Sequence, residues 1–344
     1  MNRFIRTTME NNRCVKHNSL SCYKYNRIAI DYYNLLHKFL QRNPAGDEYM
    51  MEFINFIHKF AKYNIDLIFV IDGKPLEEKQ FTIKQRKDNI KKIKTELVEK
   101  IASSTNPETI KKNQEKLDRI SYKIKPNHII YSKKLFDIMG VMYLHFENFE
   151  ADMIIKYLSD TEIVDACYSS DMDLLTFGCK KIITDLDYKN DFIVEYNNEE
   201  ILKNMGLSRE EFIDLCICCG TDYNCGLINS DLNTNIKLIK KYTNIETIIE
   251  YINIINTTEE FSNNHIEIPE RFDYVKVRNI YDFKLPMSDC EIIINGFKDK
   301  VVLSENDITI KIEKYIKKLM HQNKQPKYIY KMKEFAYYKY AIRI

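Results

Sequence analysis

The sequence predicts an α/β fold built on a largely parallel sheet. Three observations carry this expectation: short apolar runs that end on an acid, helical periodicities between them, and regular alternation of the two over the first part of the chain. Residues 27–30 read as a strand ending on Asp31, and 32–41 as a helix. Within 48–63, Met51, Phe53, Ile54, Ile57 and Phe60 fall at helical spacing. Residues 66–71, DLIFVI, are a continuous apolar run, as a strand covered on both faces requires. That run also ends on an acid, Asp72, and Gly73 then permits a tight turn. Residues 79–125 are Lys-rich and weakly amphipathic, with a break at 103–107, and read as two helices protruding from the body. A helix over 132–139 stops at Gly140, a C-cap. Strands follow at 141–145, 164–168, 181–184 and 192–195. A helix is expected at 150–158, a turn or helix over 171–175, and mostly helix from residue 198 onward.

The 344 residues are 44% hydrophobic and 30% charged, in the range of a soluble globular protein. No apolar run reaches the roughly 18 residues of a membrane span, and MNRFIRTTMENN lacks the apolar core of a secretory signal. With eight glycines and neither GxxxxGK[ST] nor GxGxxG, no nucleotide cradle is expected. The nine cysteines form no zinc spacing and fit a reduced, intracellular protein. Cys216, Cys218 and Cys219 lie in an apolar helix on different sides and read as core thiols.

The net charge of +2 conceals a division. Residues 79–134 hold 16 Lys/Arg against 6 Asp/Glu, and residues 308–344 hold 10 against 2, so the remainder is strongly acidic. Basic segments beside an acidic body suit phosphate binding next to a cation-requiring site, although solvated helix faces give the same composition.

The acids have a pattern. Asp31 and Asp72 end parallel strands, where open α/β sheets place their ligands. Glu150 and Asp152 follow a third strand in FEADMII, and Asp171 and Asp173 a fourth in SSDMDLLTFG; Asp222 lies in CCGTDY. Gathering these carboxylates is costly unless cations neutralise them. Oxygen ligands without nearby His or Cys favour Mg²⁺, with Mn²⁺ as a substitute. Two such ions would suit phosphodiester hydrolysis. Beyond Asp72, Lys79 and Arg86 stand seven residues apart and share a helical face, placed to grip a scissile phosphate.

These residues resemble the flap endonuclease/XPG group of structure-specific 5′ nucleases. The landmarks are IAID (28–31), FVIDGKP (69–75), FEAD (149–152), SSDMDLLTFG (169–178) and FIDLCICCGTDY (212–223). The resemblance implies a three-layer, PIN-like nuclease fold with a largely parallel central sheet, a helical arch insertion and a helical C-terminal part. It assigns the metal site to Asp31, Asp72, Glu150, Asp152, Asp171, Asp173 and Asp222, and the cleaved phosphate to Lys79 and Arg86. Asp152 stands where the family usually has Glu. Residues 80–130, including Lys84, Lys87 and Lys91, correspond to the arch that passes a 5′ single strand. His37 falls near the family's stacking aromatic. Lys237, Lys240 and Lys241 mark the basic end of a helix-two-turn-helix.

The resemblance also orders the chain: a nuclease region 1–140 with the arch at 79–130, an internal nuclease region 141–255 with a degenerate helix-two-turn-helix at 224–245, and an extension 256–344 with a basic tail. The chain departs from the family at its MNRFIRTT start, and Asn229, Ser230 and Asp231 replace the family's Gly-Ile-Gly turn. KMKEFAYYKY lacks the sliding-clamp peptide. The implied partner is DNA with a 5′ single-stranded flap or end, bound by a monomer and without a membrane. Alternatives are a 5′–3′ exonuclease, a junction- or bubble-cutting or RNA-cleaving relative, and a scaffold that binds nucleic acid without cutting it.

Overall fold

In the computed structural model the described residues are 14–42, 49–257 and 265–298, with residue 310. The basic tail, the 331–340 segment and the altered N-terminus lie outside them.

Among the described residues seven strands form one sheet: β1 (Val15–Ser19), β2 (Arg27–Asp31), β3 (Asp66–Ile71), β4 (Met142–His145), β5 (Ala166–Tyr168), β6 (Lys181–Asp187) and β7 (Phe192–Asn197). Their order is β1-β7-β6-β5-β2-β3-β4. The five strands from β4 to β6 are parallel, and β6–β7 and β7–β1 are antiparallel. The sheet is therefore mostly parallel, as the apolar runs require. Strand β1 had no counterpart in the sequence reading. Its segment VKHNS is only partly covered, and it forms because β7 offers it an unpaired edge.

Alternating side chains divide the core between two faces. Ile28, Ile30, Phe69, Ile71 and Tyr168 pack under α1 (Tyr32–Arg42), α2 (Tyr49–Ala61) and the later helix Pro126–Met139. Ala29, Ile68, Val70 and Cys167 pack on the opposite side, among residues of the later helices Ala151–Asp160 and Arg209–Cys219. The result is three layers, helix–sheet–helix.

Between β3 and β4 lie α3 (Gln80–Ser103), α4 (Pro107–Ser121) and α5 (Pro126–Met139). In α3 only Leu97 is buried, and in α4 no residue is, so these two helices protrude. Asn106 caps α4 by accepting from Glu108 and Thr109 N–H. Helix α5 begins six residues before the expected start at 132. Pro126 at its first turn pre-sets a helical φ, and Gly140 ends it in the left-handed region at φ 64°.

The chain continues as α6 (Ala151–Asp160), α7 (Asp173–Phe177), α8 (Asn198–Met205), α9 (Arg209–Cys219), α10 (Leu232–Tyr242), α11 (Ile245–Thr257), α12 (Tyr274–Tyr281) and α13 (Met287–Lys298). From β2 the chain moves outward through β3 to β4, then returns to the other side of β2 for β5 and β6. The direction of winding reverses between β2 and β5. Such a switch point opens a crevice at the carboxyl ends of the strands.

Candidate active site

The crevice is where the acids collect. Asp31 is the last residue of β2, and Asp72 directly follows β3. Glu150 precedes α6 and Asp152 lies in its first turn, while Asp171 and Asp173 sit in the turn into α7. Asp222 comes from the loop after α9. Gly73 is needed beside them: a Cβ there would lie 2.2 Å from the Phe146 carbonyl oxygen. Its N–H donates to Phe149 O at 2.9 Å, which ties the Asp72 turn to the loop that carries Glu150.

Hydrogen bonds fix several of the carboxylates. Asp31 Oδ1 accepts from Asn34 N–H at 3.0 Å, and its Oδ2 from the Ser169 hydroxyl at 2.8 Å. The same hydroxyl accepts from Asp171 N–H at 3.0 Å, so Ser169 links two of the acids. Asp72 Oδ1 accepts from Ala151 N–H at 2.7 Å. Glu150 Oε1 accepts from Leu76 N–H at 3.0 Å, and its Oε2 from Lys79 Nζ at 2.8 Å and Tyr223 OH at 2.9 Å. Arg86 Nη2 donates to Asp222 Oδ1 at 2.5 Å, and Lys79 Nζ lies 3.9 Å from Asp222 Oδ2. Thr82 on α3 donates to the main-chain oxygen of Asp222 at 2.8 Å.

The electrostatics show how costly this gathering is. Burial, then Asp72, pushes the Asp31 carboxyl up to about 7. Burial and Asp171 push Asp173 up to about 6. Asp152 is raised well above the usual range by burial and then by Asp171, Asp31 and Asp72 against the pull of Lys79. Asp72 is raised by burial, with Ala151 N–H and Lys79 opposing. Burial works to lower the Lys79 ammonium, but Asp152, Glu150 and Asp222 outweigh it and hold the amine charged. These mutual effects link the whole set of acids to one another and to Lys79.

The sequence-predicted residues divide accordingly. Asp31, Asp72, Glu150, Asp152, Asp171, Asp173, Asp222, Lys79 and Arg86 come together. Lys84, Lys87 and Lys91 are exposed along α3, and Lys237, Lys240 and Lys241 are exposed on α10. His37 is exposed on α1, where its Nδ1 shares a hydrogen bond with Tyr122 OH at 2.5 Å. Ser169, Thr82 and Tyr223 were missed, although Ser169 and Tyr223 sit inside the quoted SSD and TDY segments. In the altered turn Asn229 takes φ 58° and donates to His265 O at 3.0 Å, and Asp231 caps α10 by accepting from Thr234 N–H at 2.8 Å.

Among the described residues no three His, Cys, Asp or Glu side chains enclose an ion as they stand. Glu150 and Asp222 instead engage Lys79 and Arg86. The donor set nevertheless fits a hard divalent cation: it is oxygen-only, and burial, reinforced by neighbouring acids, raises the carboxyls of Asp31, Asp72, Asp152 and Asp173. The arrangement can neutralise and hold concentrated positive charge, with two side-chain cations alongside to meet an anionic substrate.

A model of the XPG N-terminal domain matches residues 3–93, and one of the XPG I-region matches residues 144–222. Flap endonuclease 1 of Plasmodium vivax is 29% identical over 288 residues, 77% of this chain and 44% of its own length. That of Tetrahymena thermophila is 26% identical over 345 residues, covering 91% of this chain and 86% of its own. The chain thus spans less than half of the first relative and most of the second. Among solved structures, the catalytic core of Rad2 in complex with DNA substrate superposes with TM-score 0.62 at 22% identity, covering 80% of this chain and 85% of that one. Human GEN1 in complex with Holliday junction DNA superposes with TM-score 0.59 at 14% identity, covering 98% and 78%. These two likenesses establish the fold.

Proposed function

Because this chain belongs to the flap endonuclease/XPG family, we propose that it is a divalent-metal-dependent 5′ nuclease that cuts DNA where a 5′ single-stranded flap meets duplex, with accompanying 5′–3′ exonuclease activity, in replication, repair or recombination. The observation that carries this reading is the convergence of seven carboxylates on one sheet edge, with Lys79 on Glu150 and Arg86 on Asp222.

Asp31, Asp72, Glu150, Asp152, Asp171, Asp173 and Asp222 would hold two ions, Mg²⁺ or its substitute Mn²⁺. A bound ion supplies an activated water and Lewis-acid stabilisation of the phosphoryl oxygens. The protein's own part is positioning. Ser169 and Asn34 fix the Asp31 carboxylate, Ala151 N–H fixes Asp72, and Tyr223 OH orients Glu150. Lys79 and Arg86, on the first turns of the arch, exchange carboxylate partners for the non-bridging oxygens of the scissile phosphate and stabilise its developing charge. Lys84, Lys87 and Lys91 present positive charge to the single strand, which needs phosphate contacts but no base readout. Lys237, Lys240 and Lys241 do the same for the duplex. The protein works as a monomer inside the cell.

A purified sample with Mg²⁺ is expected to cut a labelled 5′-flap duplex at the junction, and Asp171→Ala to abolish cutting while sparing binding. Full cleavage by that variant refutes the assignment.

One observation favours a second reading, a junction- or bubble-cutting enzyme or a pure 5′–3′ exonuclease. The Asp231 carboxylate already occupies the N-terminus of α10, so the helix end that would otherwise attract a duplex phosphate carries its own anion. A panel of flap, gap, bubble, junction and RNA substrates separates the two readings by which is cut fastest.

A further inference from the structure

A cleft of about 150 Å³ lies between the start of α3 and the loop after α9, lined by Phe81, Thr82, Gln85, Thr221, Tyr223 and Arg271, with Glu78 on its wall. The roles assigned above leave it unused. It adjoins the acid cluster directly: Thr221 and Tyr223 flank Asp222, and Thr82 bonds the Asp222 carbonyl at 2.8 Å.

Arg271 closes the cleft from a part of the chain outside both matched regions, 3–93 and 144–222. Its guanidinium carbon lies 4.3 Å over the centre of the Phe81 ring. Its main-chain oxygen accepts from Cys225 N–H at 3.3 Å, which ties it to the Asp222 loop. A cation–π contact fixes where the charge sits without consuming the guanidinium's five N–H donors. Among the described residues no carboxylate pairs with it. Glu78, the acid on the cleft wall, is instead held by Lys276 at 2.5 Å. The cleft therefore offers a positioned, exposed cation, with the Gln85 amide on the same wall and the acid cluster adjoining through Asp222.

We infer that this cleft is a phosphate subsite, in which Arg271, steadied on Phe81, binds the phosphodiester adjoining the one that is cleaved. The inference rests on the nuclease reading above. Arg271 is then a positioning residue: it sets the register of the cleaved strand relative to Lys79, Arg86 and the acids and takes no part in bond breaking.

The test uses the full chain, Mg²⁺ and 5′-flap DNA carrying a single neutral methylphosphonate at each linkage next to the cut in turn. Arg271→Ala is expected to raise KM about tenfold, the loss of one hydrogen bond to a charged group, with kcat held within about twofold and the melting temperature unchanged. Arg271→Lys restores part of the loss. One neutral linkage costs the wild type as much KM as the mutation does, and costs Arg271→Ala nothing further. An unchanged KM in Arg271→Ala, or a penalty additive with the neutral linkage at every position, overturns the inference. If the wild type cuts no DNA, the nuclease reading fails, and the subsite is then judged on binding alone. In that case Arg271→Ala lowers the slope of log affinity against log salt by about 0.7 to 0.9, one phosphate contact, and an unchanged slope overturns it.

Discussion

Replacing Asp31 by Asn tests the electrostatic cost of the site. The Asp31 carboxyl is raised from 3.8 to about 7, first by burial and then by Asp72. Between those values the folded protein binds a proton that the unfolded chain does not. The wild type without metal therefore loses stability as pH rises through this window, and above pH 7 the whole cost is present. At about 1.36 kcal/mol per pH unit the ceiling is about 4 kcal/mol. Asn keeps the shape, accepts from Asn34 N–H through its oxygen, and donates to a Ser169 hydroxyl that can rotate to accept. The buried amide and proton sharing among neighbouring acids offset part of the gain, which leaves about 2 kcal/mol, or about 3 °C in melting temperature. Thermal unfolding in EDTA should show Asp31→Asn more stable than wild type at pH 8, with the difference shrinking by pH 5. A variant that melts lower at pH 8, or gains equally at both pH values, would falsify the electrostatic reasoning.

Other perturbations have distinct signatures. Lys79→Met removes the mostly buried cation that serves Glu150 and approaches Asp222; about 3 kcal/mol of metal-free stability at pH 8 should be lost, together with about a hundredfold or more in kcat, and denaturant melts and single-turnover cleavage check the two parts. Tyr223→Phe deletes the 2.9 Å hydrogen bond to Glu150 and should cost about 1 kcal/mol while weakening metal binding in a calorimetric titration. Gly73→Ala forces a Cβ against the Phe146 carbonyl, so the variant should unfold at markedly lower denaturant even with metal added; a wild-type midpoint would show that the loop yields freely.

The sequence made the strand-end acids legible because each terminates a run too apolar to lie on a surface. DLIFVI ending on Asp72 carries both a buried strand and a reason to look at its end. Parallel pairing then brought Asp31, Asp72 and Asp171 to one edge, an inference that needed only strand direction. Other features depended on tertiary context. Strand β1 has no apolar run and exists through its pairing with β7. The early start of α5 turned on Pro126 as a first-turn residue, which the apolar pattern from 132 onward does not reveal. Ser169 and Tyr223 are neutral hydrogen-bonding residues of types used everywhere, and only their partners Asp31 and Glu150 mark them. Arg271 lies 190 residues from Phe81 in the chain, and no local pattern could pair them.

The central claim is that the acid cluster is a binding site for divalent cations. A crystal soaked in Mn²⁺ and recorded at its absorption edge tests it most directly. Two anomalous peaks among Asp31, Asp72, Glu150, Asp152, Asp171, Asp173 and Asp222 are the expected result. No peak in that crevice at millimolar Mn²⁺, with Lys79 and Arg86 still bound to Glu150 and Asp222, would contradict it.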